Sequence, residues 1–163
     1  MTVYLDSTYV IRRLLGVGKG AELWGKWDKA YASVLLRSEC CRAANQMRLD
    51  GKIDDADRAR LGAWIETVCA SVNQVPVTDA IVRRAAEAYP VAVGTLQALH
   101  LATMQELESV REVKCELLSD DEGLVQAAKA LGFSEAALPP PAKGAEKAEK
   151  EPKEKPEGAA KAK

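Results

Sequence analysis

Two short apolar runs in this chain end in the same way, on acid and hydroxyl residues that open a helix. Thr2–Leu5 runs into Asp6-Ser7-Thr8, and residues 115–119 run into Asp120-Asp121. A strand that turns at once into a helix cannot pair with the next strand through a tight hairpin. It needs a crossover, and crossovers make parallel sheets. The rest of the chain keeps this alternation. Ser7 is placed to cap a helix from Tyr9 that carries Val10, Ile11, Leu14 and Leu15, with Gly16, Gly18 and Gly20 to end it. Leu23, Trp24 and Trp27 form a second amphipathic piece, and residues 30–33 read as extended. Ser33 is placed to cap a helix toward Asp50 and Gly51, and Asp54 or Asp55 opens another that carries Leu61, Trp64, Ile65, Val68 and Cys69. A strand at 75–77 closes on Thr78-Asp79 and is followed by a helix over 80–89 that stops at Pro90. Thr95 caps a helix over 96–107, and after the strand at 115–119 Asp121 or Glu122 opens the last helix, which ends at Gly132. The expected fold is an α/β three-layer sandwich, a short, mostly parallel sheet flanked by helices.

The 163 residues suit one folded domain over 1–138. From Pro139 onward the composition changes. Three prolines are followed by a segment of only Ala, Lys, Glu, Gly and Pro, which has nothing to build a core with and reads as a disordered tail over 139–163. That tail holds seven lysines and five glutamates, which leaves the body with sixteen basic and nineteen acidic residues. A mildly acidic body is a poor match for duplex DNA, which calls for a basic face. The four cysteines contain no C-x-x-C pair and there is one histidine, which excludes a zinc finger or zinc protease. No apolar run is long enough to cross a membrane, and the first residues lack the pattern of a secretory leader, so reduced thiols in a cytoplasmic protein are expected.

In an open parallel sheet, sites form outside the carboxyl ends of the strands. Asp6 stands at the end of the first strand, and Asp120 and Asp121 at the end of the last. Each alone reads as a helix cap. At matching junctions they converge on one edge of the sheet. Glu39, among Val34, Leu35, Cys40 and Cys41, is either a half-buried acid that needs a metal or a surface group paired with Arg37 or Arg42. Carboxylates clustered without histidine or cysteine favour Mg²⁺ or Mn²⁺, the ions of phosphoryl-transfer chemistry.

Four stretches together resemble PIN-domain proteins, in particular the VapC-like toxin ribonucleases of bacterial toxin–antitoxin pairs. Tyr4-Leu5-Asp6-Ser7 is similar to the opening "LDT/S" motif, and Ser33 through Glu39 to Arg42 to the "S-x5-E-x2-R" helix. Thr95-Leu96-Gln97-Ala98-Leu99-His100-Leu101-Ala102 is similar to "T-L-D-A-L-H-L-A". Ser119-Asp120-Asp121 with Ala127-Ala128 and Leu131-Gly132 is similar to the closing pattern. The resemblance covers residues 2–133 and implies a PIN-like fold. It implies that Asp6, Glu39 and Asp121 are both the catalytic and the metal-binding acids, with Ser119 as the small hydroxyl residue of the site and Asp120 at the variable neighbouring position. His100 is then a helix residue that supports the core, not a ligand. The implied activity is Mg²⁺- or Mn²⁺-dependent hydrolysis of RNA phosphodiesters, leaving a 5′-phosphate and a 3′-hydroxyl. The implied partners are an RNA substrate, an antitoxin protein and a second copy of the chain. Trp24 and Trp27 lie where such toxins form the antitoxin groove, although they are equally placed to close the core.

The chain departs from the pattern at Gln97, where the family has an aspartate. Glutamine keeps a carbonyl oxygen and loses the charge, so a second cation loses a direct partner. A weakened ribonuclease, a degenerate PIN domain that only binds protein or RNA, and an introduced change all fit this substitution. A change from Asp to Gln needs more than one nucleotide and is not isosteric, which favours a natural variant.

Overall fold

The computed structural model describes residues 1–17 and 21–137. Gly18, Gly20, Leu138 and the tail over 139–163 lie outside the described residues. Among the described residues, four strands, β1 (Thr2–Leu5), β2 (Lys29–Ser33), β3 (Asn73–Val75) and β4 (Glu116–Leu118), form one sheet in the order β3-β2-β1-β4. Every pairing is parallel, with Tyr4 opposite Tyr31 on one side and Leu117 on the other. Six helices flank it: α1 (Ser7–Leu14), α2 (Leu36–Leu49), α3 (Asp55–Ser71), α4 (Asp79–Ala85), α5 (Thr95–Ser109) and α6 (Glu122–Ala130). The expected three-layer α/β sandwich is the observed one.

Successive side chains of a strand point to opposite faces. Val3 and Leu5 therefore face α1, α2 and α3, where Val10, Leu36, Leu61 and Ile65 close one core. Tyr4 faces the other way and meets Ile81 of α4, Leu101 and Met104 of α5 and Leu124 of α6. Burial on both faces explains why β1, at the centre of the sheet, reads as an apolar run and not as an alternating one. It also makes a single truncation costly. Leu36→Ala, at a fully enclosed site, removes contacts worth about 2–5 kcal/mol.

The element boundaries differ from the sequence expectation at several points, each for a local reason. The cap of α1 is Asp6, whose carboxylate accepts from the Thr8 amide at 3.1 Å, and Ser7 is already helical. Ser33 ends β2 and its hydroxyl accepts from the Leu35 amide, so α2 starts three residues later. β3 lies at 73–75 and not at 75–77, because Pro76 has no amide to give to a ladder. The helix expected over 80–89 stops at Ala85, and the two turns beyond it close by i to i−3 bonds. This frees Tyr89 to pack in the second core and to donate to the Ala98 carbonyl at 3.1 Å. Gly94, not Thr95, is the cap residue of α5. Trp24 and Trp27 are not on one helix face. They come after a single 3-10 turn at Ala21–Leu23, stand edge to face at 5.6 Å, and half-bury against the first core, with Trp24 beside Tyr9.

The chain runs outward from β1 through β2 to β3, then returns to place β4 on the other side of β1. The crevice between β1 and β4 is thus the point where the winding reverses, the position at which open parallel sheets bind ligands. Asp6 and the segment Ser119-Asp120-Asp121 stand at its mouth. The outer edge of β4 is covered by the stretch of chain after α6. The Leu117 amide donates to the Ser134 carbonyl, and the Ala136 amide donates to the Leu117 carbonyl.

Candidate metal centre

Asp6 is 3% exposed and is fixed from several directions. Its Oδ2 accepts from the Thr8 amide at 3.1 Å, from the Thr8 hydroxyl, and from the Ser119 hydroxyl at 2.9 Å. Ser119 in turn accepts from the Asp121 amide at 3.0 Å, and Thr8 accepts from the Asp120 amide at 3.1 Å. These bonds lock the ends of β1 and β4 together through one carboxylate oxygen. They leave Oδ1 turned toward α5.

Glu39 enters from the first turn of α2, where the helix dipole favours a carboxylate. Its partner is neither Arg37 nor Arg42. Arg37 pairs instead with Glu66 of α3 at 2.7 Å. Glu39 Oε1 lies 3.1 Å from His100 Nε2, and Glu39 Oε2 is buried without a hydrogen-bond partner among the described residues. His100 Nε2 also lies 3.6 Å from Asp6 Oδ1, and its Nδ1 is 2.9 Å from the Tyr4 hydroxyl. One ligand atom each from Asp6, Glu39 and His100 falls within 4.8 Å of the others, a group able to hold a metal ion.

Asp121 stands beside this group but is occupied elsewhere. Its Oδ1 caps α6 by accepting from the Gly123 and Leu124 amides at 2.9 and 3.1 Å. Its Oδ2 accepts from Gln97 Nε2 at 2.9 Å. Gln97 Oε1 accepts from the Gly94 amide, also at 2.9 Å. Gln97 therefore holds one oxygen of Asp121 through a neutral amide, which leaves the charge of the carboxylate in place. Asp120 lies near Arg12, at 3.8 Å, and lines a cavity of about 210 Å³ with Tyr9, Glu22 and Glu135.

The packing sets the electrostatics. Burial lowers the affinity of His100 for a proton. The hydrogen bond and charge of Glu39, and then the charges of Asp6 and Asp121, outweigh it and hold its pKa above the ordinary value. Burial first, and then the charge of Asp6, pushes the Tyr4 hydroxyl far up, so it stays protonated. The cluster is a buried group of acids in which His100 is the side chain able to carry positive charge.

The resemblance names Asp6, Glu39 and Asp121 as the metal acids; the structure brings Asp6 and Glu39 together with His100 and leaves Asp121 beside them, its oxygens on Gln97 and on the first amides of α6. Sequence reasoning missed Thr8 and Tyr4 and assigned His100 to the core alone. The signal for His100 was its spacing from Gln97, since residues three apart on a helix share a face. The signal for Tyr4 was its distance of two from Asp6 on an extended segment, which puts both on one side of the sheet. A larger cavity, about 600 Å³ and lined by Val82, Tyr89, Val93 and Leu99, opens between α4 and α5 and contains none of these acids. It is largely apolar space beside the second core. Comparison of the chain with protein-family models and with curated proteins finds no match.

Proposed function

We propose that this chain is a VapC-like PIN-domain ribonuclease that uses a divalent cation, Mg²⁺ or Mn²⁺, to hydrolyse RNA phosphodiesters. The observation that carries the reading is the convergence of Asp6, Glu39 and His100 at the mouth of the β1–β4 crevice, with Glu39 Oε2 buried and unpartnered there among the described residues. Two carboxylates and a spare carboxylate oxygen fit a hard divalent ion. Such an ion supplies the charge that activates water and steadies the departing oxygen. The chain's own part is positioning. Thr8 and Ser119 hold Asp6, the first turn of α2 holds Glu39, and α5 brings His100 against both. In the reaction, the water oxygen bonds to phosphorus, the bond from phosphorus to the 3′-oxygen breaks, and the 3′-oxygen takes up a proton. A cytoplasmic setting, an antitoxin protein and a second copy of the chain go with this reading.

The test is cleavage of single-stranded and tRNA-like RNA by the full chain with and without Mn²⁺ or Mg²⁺. Cleavage should require the ion and be lost in Asp6→Asn, which keeps the shape of the cap. Cleavage that persists in Asp6→Asn, or in excess chelator, sinks the proposal.

A second reading draws on one observation, the bond from Gln97 to Asp121. An acid held by an amide has less to offer a cation. In this reading the chain is a degenerate PIN domain that binds RNA or protein and cuts nothing. It predicts no cleavage by the parent chain at any ion concentration and a gain of cleavage in Gln97→Asp.

A further inference from the structure

From Ala88 to Gln105 the chain has no Asp, Glu, Lys or Arg, although 29% of its residues are charged. Within α5 burial explains the gap, since Leu101, Ala102, Met104 and their neighbours are core. The segment ahead of α5 is different. Pro90, Val91 and Ala92 are exposed, and so is Leu96 in the first turn of α5. Val91 is 40% and Leu96 53% exposed. Val82 of α4, which lines the same cavity as Val91, is 50% exposed. Leu96 shares a helix face with Leu99, another lining residue. Three large apolar side chains thus border one open cavity of about 600 Å³, a grouping that marks an interaction site more than a scattered surface residue does.

The surroundings say what kind of partner fits. A small ligand is oriented by converging polar groups. Here Tyr89 spends its hydroxyl on the Ala98 carbonyl, and Glu87 is exposed. A protein surface asks for matched charges around an apolar centre, and these are present. Arg83 and Glu87 stand four residues apart on α4 and the turns that continue it, so they share a face beside Val82 and Ala86. Both are exposed, and neither forms an ion pair among the described residues. A two-fold interface sets a patch against itself and must be self-complementary. When α4 of two copies crosses antiparallel about Ala85, each Arg83 meets the partner's Glu87, and the small Ala86 lets the helices approach. The sheet borders offer no better route. β4 is covered by Ser134 and Ala136, and β3 is three residues long and stopped by Pro76.

We propose that this face of α4 and the start of α5, with Val82, Val91 and Leu96 at its centre and Arg83 and Glu87 beside them, joins two copies of this chain in a two-fold dimer. Gly94 lines the same cavity and gives its amide to Gln97 Oε1, so the interface reaches the residue that anchors Gln97 at the crevice. The inference goes beyond the ribonuclease reading, which carries a second copy of the chain but no face for it.

The experiment is sedimentation equilibrium of the full chain from about 1 to 100 µM. The parent should be a dimer. Leu96→Glu, a change that suits an exposed position in the first turn of a helix, should raise the dimer dissociation constant at least about tenfold. Arg83→Glu and Glu87→Arg should each do the same. The two together only exchange the members of the pair and should restore dimerisation to within about threefold of the parent. Circular dichroism melts of each variant separate a lost interface from a lost fold. A parent that is monomeric at about 100 µM overturns the proposal, as does a dimer that Leu96→Glu and Arg83→Glu leave intact. Failure of the double exchange to restore the dimer overturns the pairing of Arg83 with the partner's Glu87. RNA cleavage with Mn²⁺ is measured on the same samples. Cleavage by a monomeric parent overturns this interface alone, and a dimer with the expected variant pattern that cuts nothing supports the interface and overturns the ribonuclease reading.

Discussion

Gln97 donates from Nε2 to Asp121 Oδ2 at 2.9 Å while its Oε1 accepts from the Gly94 amide. One neutral side chain thus ties the start of α5 to the cap of α6 across the crevice. Gln97→Asp would lose these bonds and set a second carboxylate near Asp121. We expect the variant to be about 1–3 kcal/mol less stable than the parent in chelator, the scale of a lost bond to a charged group. Added Mn²⁺ should restore most of the loss, because only a cation relieves two facing acids. Thermal melts with and without Mn²⁺ measure both effects. A variant as stable as the parent in chelator would show that the amide does nothing for the crevice.

Thr8 is the second prediction. Its amide and hydroxyl both serve Asp6 Oδ2, and its hydroxyl also accepts from the Asp120 amide. Thr8→Val keeps the shape and removes the hydroxyl, leaving a buried carboxylate short of one donor and an amide short of its acceptor. The expected loss is about 1–3 kcal/mol, read as a lower urea midpoint at constant slope. Combined with Ser119→Ala, the losses should not add, since both hydroxyls hold one oxygen.

How much of this was legible in the sequence differs from feature to feature. The sheet was legible because both of its faces are buried, so β1 appears as an apolar run, and β2 and β4 do so after their first residues, Lys29 and Glu116. β3 was misplaced because Asn73 and Gln74, its polar residues, look like loop. They belong to a short edge strand, where Asn73 donates to the Ala30 carbonyl and Gln74 to the Cys69 carbonyl. Asp6 was legible as an acid at the carboxyl end of a strand, and Glu39 as an acid in apolar company. His100 was not, because a histidine among leucines and alanines looks the same whether it fills a core or faces two carboxylates. Only the stacking of α5 against the end of β1 tells the two apart. The Trp24–Trp27 spacing of three suggested a helical face, but the glycine between them takes a positive φ of 75° and turns the chain instead.

The buried thiols and the Tyr4 hydroxyl predict how the protein responds to base. Burial, and then the charge of Glu108, pushes the Cys115 thiol up to about 11. Burial also raises Cys40, Cys69 and Tyr4. A folded pKa above the unfolded one means stability that is complete below the ordinary thiol value and is lost as pH rises through the folded value. Urea midpoints should therefore be level to about pH 9 and fall between pH 9 and 11, less steeply in Cys115→Ala. At pH 8 a thiol reagent should modify half-buried Cys41 well before the other three. Midpoints level to pH 11 would contradict the burial of these groups.

Two truncations locate the end of the folded unit. A chain that stops after Ala137 should melt like the full chain. One that stops after Phe133 loses the two backbone bonds to Leu117 and the burial of Ala136, and should be roughly 2–3 kcal/mol less stable. Circular dichroism melts of the two shortened chains test this directly.

The covering of β4 has a consequence for assembly. An uncovered strand offers its free amides and carbonyls to a neighbour, and two sheets can fuse into one. Here β4 spends its outer bonds on Ser134 and Ala136, and the opposite border is the three-residue β3, stopped by proline. Both borders are therefore poor templates for an incoming strand, and continuing the sheet of one copy of this chain into another is disfavoured.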